Sequence, residues 1–138
     1  MNLLCARLVI TGLSLAAAVG CSGGGRPQTI DVQGNVSLDG KPIESGQIYF
    51  RAEDGSNSYY GKIENGSYEA EVTPGEKRIE VYGYRDLAGK TREDNPGEQA
   101  TVREMFVPEK FNRKTTLTLN LSADKAEAVE DFNLKSKD

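Results

Sequence analysis

The sequence has no histidine and no tryptophan, and its two cysteines, Cys5 and Cys21, both fall near the N-terminus. Without histidine, the commonest general base and the commonest transition-metal ligand are missing. Beyond Cys21 there is no thiol, which excludes disulfides, CxxC redox chemistry and thiolate metal sites in that part of the chain. Lys and Arg number 17 against 21 Asp and Glu, a net charge of -4. Such a surface repels a phosphate backbone, so no nucleic-acid partner is expected. Beyond the N-terminus no apolar run is long enough to cross a bilayer.

Acidic residues are plentiful, but their spacing is wrong for chemistry. Glu53-Asp54, Glu93-Asp94 and Glu130-Asp131 are adjacent pairs. Neighbours on a strand point to opposite faces and do not converge. The stretch "EDGSN", residues 53–57, offers oxygens, yet it lacks the spaced D-x-D-x-D-G run and the late glutamate of a calcium loop. It reads as a solvated hairpin tip. No catalytic residue, metal or cofactor is expected, and the chain is not expected to be an enzyme.

The N-terminus has a clear pattern. One cation, Arg7, precedes the apolar stretch from Leu8 to Val19. That stretch suits a signal peptide and is too short for a membrane span. It ends in Ala18-Val19-Gly20-Cys21, which resembles a bacterial lipobox. On that reading residues 1–20 are removed, with cleavage between Gly20 and Cys21, and Cys21 is acylated. Each buried CH₂ of the acyl chains adds about 0.8 kcal/mol of membrane affinity. The alternative is cleavage after Ala16-Ala17-Ala18, which leaves Cys21 incidental. Residues 21–29 hold three successive glycines and read as a flexible tether. Ser22 after the cysteine, by resemblance to sorted lipoproteins, suggests the outer membrane, facing the periplasm.

Residues 30–138 read as one domain of strands and turns. Period-two alternation recurs. Val32, Gly34, Val36 and Leu38 share a face; so do Ile48, Phe50 and Ala52, and then Tyr59, Gly61 and Ile63. Tyr68, Ala70 and Val72 alternate with Ser67, Glu69 and Glu71, and Ile79 and Val81 alternate with Arg78, Glu80 and Tyr82. Leu117, Leu119 and Leu121 face away from Thr116, Thr118 and Asn120, and Phe132 and Leu134 close the pattern. Turn residues separate these runs: Asp39-Gly40, Asn65-Gly66 and Pro74-Gly75. Asn-Gly between alternating strands marks a type I′ hairpin, which needs positive φ at both residues. Seven strands with one apolar face each predict an all-β, seven-stranded β-sandwich. Residues 86–100 show no periodicity, are broken by Pro96-Gly97, and read as a long polar loop without a positive-φ requirement at Gly97. Residues 122–129 read as a short helix or a connection.

The order of these motifs resembles a known family. "VQGNVSLDGKPIESGQIYF", "ENGSYEAEVTPGEKRIEV" and "VPEKFNRKTTLTLNLS" followed by "EDFNLK" are similar to successive units of transthyretin-like, carboxypeptidase-regulatory-like domains in small planctomycete-type lipoproteins. The resemblance covers residues 30–135. It implies a Greek-key sandwich and a non-catalytic role as an envelope scaffold or accessory module. One branch of that superfamily is a hydroxyisourate hydrolase that depends on histidines and ends in Y-R-G-S. This chain has no histidine and ends "LKSKD", so that activity is not expected.

The remaining surface candidates are aromatic. Tyr49, Tyr82 and Tyr84 fall on the outer face of their strands, where rings can stack on sugars. Their alternative role is cross-strand packing alone. The expectation is a lipid-anchored envelope protein with a structural or interaction module. A carbohydrate- or protein-binding receptor, using those tyrosines or residues 86–100, is the other reading. Its partners are then the membrane, through the anchor, and an envelope protein or glycan.

Overall fold

A computed structural model describes residues 28–137. The signal segment 1–20, the Gly20–Cys21 junction and the tether up to residue 27 lie outside the described residues. Among the described residues the chain forms β1 (Ile30–Leu38), β2 (Lys41–Pro42), β3 (Ser45–Ala52), β4 (Ser58–Glu64), β5 (Ser67–Val72), β6 (Gly75–Asn95) and β7 (Glu98–Met105). A single 3₁₀ turn at Glu109–Phe111 precedes β8 (Thr118–Leu121), β9 (Glu127–Val129) and β10 (Phe132–Leu134). The chain is all-β, as its patterning requires.

The strands hydrogen-bond into one sheet rather than into two separate ones. Its order is β10-β1-β5-β4-β3-β6-β7, with β9 also pairing β1 and β8 also pairing β6, so that seven strands run β9-β1-β5-β4-β3-β6-β8, antiparallel except where β9 lies parallel to β1. The connection from β8 to β9 forces this sheet to curl. Residues 122–126 link its two edge strands, and such a link reaches about 20 Å when extended. Laid flat, seven strands at about 4.8 Å spacing would hold those edges about 29 Å apart. The apolar faces therefore turn inward on one another. Ile30, Val32, Val36, Ile43, Ile48, Phe50, Ile63, Val72, Ile79 and Val81 are fully buried there. Each such side chain contributes about 1.5–3 kcal/mol over an exposed position.

Turn chemistry sets the register. Asn65 and Gly66 have φ of 51° and 83°, the type I′ pair, and Glu64 pairs with Ser67 across them. Asp39 and Gly40, at 52° and 78°, make a similar turn between β1 and β2. Gly34 is needed for another reason. The chain crosses over β1 between β9 and β10, and a Cβ at Gly34 would lie 1.9 Å from the Glu130 carbonyl oxygen.

Three expectations are corrected. Residues 86–100 are not a loop: they belong to a β-hairpin arm in which β6 runs on to Asn95 and β7 returns. The arm has no core face, so it lacks the alternation that marks the other strands. Gly97 has φ of 87° in the Pro96-Gly97 turn, which fits a type II turn. Residues 122–129 form no helix; they turn through Ser122 and Lys125 and enter β9, because β1 offers a free edge. In the β8 region the expected alternation holds: Leu121 is buried and Leu117 and Leu119 pack half-buried against the core, while Thr116, Thr118 and Asn120 are exposed.

The pairings define two poles. Ile30, Val72, Ala52 and Leu121 lie at the pole where β1 begins. Ser45, Glu64 and Gly83 lie at the other. The arm leaves from that second pole. Residues 86–95 of β6 would extend about 30 Å at the usual strand rise.

Candidate recognition surface

The outer face of β4, β3 and β6 carries the largest aromatic cluster outside the core. Alternation sends Tyr60 of β4, Gln47, Tyr49 and Arg51 of β3, and Arg78, Glu80, Tyr82 and Tyr84 of β6 to that face. Register places Tyr49 between Tyr60 on one side and Glu80 on the other, and Gln47 opposite Tyr82. The Tyr49 ring lies 6.0 Å from Tyr60, tilted at 36°. Tyr82 meets Tyr49 edge-on, at 5.6 Å and 86°. Both separations are in the favourable range for ring pairs. The Arg51 guanidinium covers the Tyr49 ring at 5.2 Å, and the Tyr49 hydroxyl donates to Gln47 Oε1 at 2.9 Å.

Glu80 organises this face. Arg51 and Arg78 are directly opposite one another, a repulsive cross-strand pair when alone. Glu80 lies between them, 2.8 Å from Arg51 Nε and 3.3 Å from Arg78. The Tyr82 hydroxyl donates to its other oxygen at 3.2 Å. These neighbours cover its side chain to 7% exposure, although it points away from the core. Burial first, and then the Glu80 charge, hold the Tyr82 phenol above its ordinary range. The ring remains a neutral donor at physiological pH.

Of the three tyrosines singled out by sequence, Tyr49 and Tyr82 come together. Tyr84 shares their face but pairs with Arg103, whose guanidinium lies 5.7 Å from its ring. Tyr60 is not among the three, and at 63% it is one of two large hydrophobic residues exposed to that degree among the described residues. The signal was present: in "SYYGKIE", inward Tyr59 and Ile63 make Tyr60 outward.

The other candidates do not assemble. Asp54 accepts the Ser56 backbone N–H at 2.9 Å in a hairpin tip, and the Ser56 hydroxyl and N–H hold its carboxyl below the usual range. Glu93 accepts from Gly97 N–H, Asp94 pairs with Arg92, and Asp131 accepts from Asn35. Among the described residues, no group of three or more acidic side chains is placed to hold a metal ion. No helix of the described residues is long and apolar enough to cross a membrane.

No protein-family model and no curated protein matches this sequence. Two solved structures are similar in part. A 9R-lipoxygenase from Cyanothece PCC8801 superposes with a TM-score of 0.39 at 13% identity, over 92% of this chain and 18% of the lipoxygenase. A DUF3823 family protein from Parabacteroides merdae ATCC 43184 superposes with a TM-score of 0.37 at 16% identity, over 80% of this chain and 46% of that one. This chain thus spans less than half the length of either protein. At such scores neither likeness carries an argument about topology or activity.

Proposed function

We propose that this chain is a lipid-anchored, non-catalytic recognition module of a bacterial envelope, a curled member of the transthyretin-like group, and that it holds an envelope glycan on the outer face of β4, β3 and β6. The anchor rests on Ala18-Val19-Gly20-Cys21 and the glycine tether after it. The supporting observation for recognition is the Tyr49–Tyr60–Tyr82 cluster, braced by Glu80 and its two arginines. The cluster offers the exposed Tyr60 ring, with Tyr82 edge-on to Tyr49 and polar groups close by. Pyranose rings present apolar faces for stacking and hydroxyls that both donate and accept. A pre-braced surface loses little side-chain entropy on binding.

Two readouts test the proposal on the full chain. Intact mass of the membrane fraction is expected to match residues 21–138 plus acyl chains, and to lose them in Cys21→Ser. An unacylated mass would remove the anchor. The chain has six tyrosines and no tryptophan, and four of the six, Tyr49, Tyr60, Tyr82 and Tyr84, lie on the outer face, so they contribute to the tyrosine fluorescence. Titration with trisaccharides is expected to change that fluorescence, and Tyr60→Ala is expected to abolish the change. A response that survives Tyr60→Ala would move the ligand elsewhere.

A further inference from the structure

A second concave surface lies at the foot of the β6–β7 arm. It is a groove of about 790 Å³, inside the range of about 300–1,000 Å³ usual for small-ligand sites. Leu38, Pro42 and Phe106 supply its apolar part, and Lys41, Glu44 and Arg103 stand among its polar lining. Tyr84 lines this groove and also the small cleft it shares with Tyr49 and Tyr82. Tyr84 thus stands at the border of the groove and the tyrosine face.

Its two arginines are paired with carboxylates. Arg103 lies 3.2 Å from Asp86 and donates to Ser45 Oγ at 2.8 Å. Arg85 lies over the Phe106 ring at 5.7 Å and pairs with Glu104 at 3.2 Å. Both guanidiniums are thus already matched, and an anionic ligand would compete with their carboxylates. Among the described residues, the Lys41 and Glu44 side chains make no hydrogen bond or ion pair. They offer one donor group and one acceptor group to whatever enters. A neutral ligand bearing many hydroxyls satisfies both without disturbing the pairs, and its apolar face fits the Phe106 side.

We infer that this groove is a binding site for a neutral saccharide, continuing the tyrosine face so that one linear oligosaccharide spans both. The ligand class rests on the glycan reading above; the site itself does not. The groove lies at the pole opposite the start of β1.

The test is calorimetric titration of the detergent-solubilised full chain with chitotriose, cellotriose and maltotriose, each to about 10 mM, a range that captures millimolar affinities. The variants are Lys41→Ala/Glu44→Ala, which removes the donor and the acceptor at two exposed positions, and Tyr60→Ala. At least one trisaccharide is expected to bind, and each variant is expected to weaken it at least about 5-fold, roughly 1 kcal/mol. Weakening by Tyr60→Ala alone overturns the groove and leaves the tyrosine face standing. Weakening by the groove variant alone supports the groove and removes the tyrosine face. Binding to none of the three overturns both. Tighter binding of trigalacturonate than of every neutral sugar overturns the assignment of an uncharged ligand.

Discussion

Asn112 is completely buried in a protein whose buried positions are otherwise almost all apolar. Its amide nitrogen lies 3.4 Å from the Val81 carbonyl oxygen, 3.2 Å from that of Val107 and 3.2 Å from that of Pro108. Its side-chain oxygen accepts the Arg113 backbone N–H at 2.8 Å. Asn112 thereby ties the 3₁₀ segment to β6. An NH₂ group has two protons for those three acceptors, so about two full hydrogen bonds are at stake with the third interaction shared. Asn112→Leu keeps the volume but leaves the carbonyls and the Arg113 N–H without partners. At about 1 kcal/mol per lost hydrogen bond plus the cost of leaving polar groups unsatisfied, the expected loss is about 3 kcal/mol. With a urea slope of about 1.5 kcal/mol per M, the midpoint falls by about 2 M at unchanged slope. Asn112→Ala removes the same bonds and adds a cavity, so it is expected to be at least as damaging. Urea unfolding followed by circular dichroism measures both. If Asn112→Leu shifted the midpoint by less than about 0.3 M, the hydrogen bonds would not be what makes this residue matter.

Other perturbations separate turn strain, facing and titration. Gly66→Val is expected to cost more than Gly97→Val, because both have positive φ but only at Gly66 would a Cβ meet Pro42, at 2.7 Å; equal urea midpoints would contradict this. Leu121→Asp is expected to unfold the domain and Thr118→Asp to be mild, since Leu121 is buried and Thr118 exposed. Leu119→Asp is expected to fall between them in urea midpoint, because Leu119 is half-buried and pairs in register with Lys77. The Tyr68 phenol donates to the Glu130 carbonyl oxygen at 2.8 Å. Burial first, then the Glu130 and Asp131 charges, push its pKa up. A raised folded-state pKa contributes stability that is fully present below about pH 10 and is lost as pH rises above it. Thermal melts are therefore expected to fall between about pH 10 and 11, and less steeply in Tyr68→Phe. An identical slope in that variant would sink the assignment to Tyr68.

What could be read from the sequence follows from where a strand has one face in the core. In β5, Tyr68, Ala70 and Val72 are buried and Ser67, Glu69 and Glu71 exposed, so alternation alone gives strand and facing. The Asn65-Gly66 turn was legible because few other dipeptides tolerate two positive φ values. The arm was not legible, because residues 88–99 are exposed on both faces and hold no large apolar residue to alternate. The edge added beside β1 depends on β9 and β10, three residues each, which pair parallel with β1 far away in sequence. Local pattern does not encode such pairing. On the recognition surface, Tyr49 and Tyr82 followed from alternation. The burial of Glu80 did not, since it comes from Arg51 of β3 together with Arg78 and Tyr82 of its own strand folding over an outward position.

The central claim is that the outer face of β4, β3 and β6 binds a glycan. The most direct measurement is a nuclear magnetic resonance titration of the detergent-solubilised full chain with chitotriose, cellotriose and maltotriose, following the tyrosine ring protons. The account predicts saturable shifts at Tyr49, Tyr60 and Tyr82, with inward Tyr59 and Tyr68 still. Unmoved rings on that face throughout all three titrations, or shifts spread evenly over inward and outward tyrosines, would contradict it.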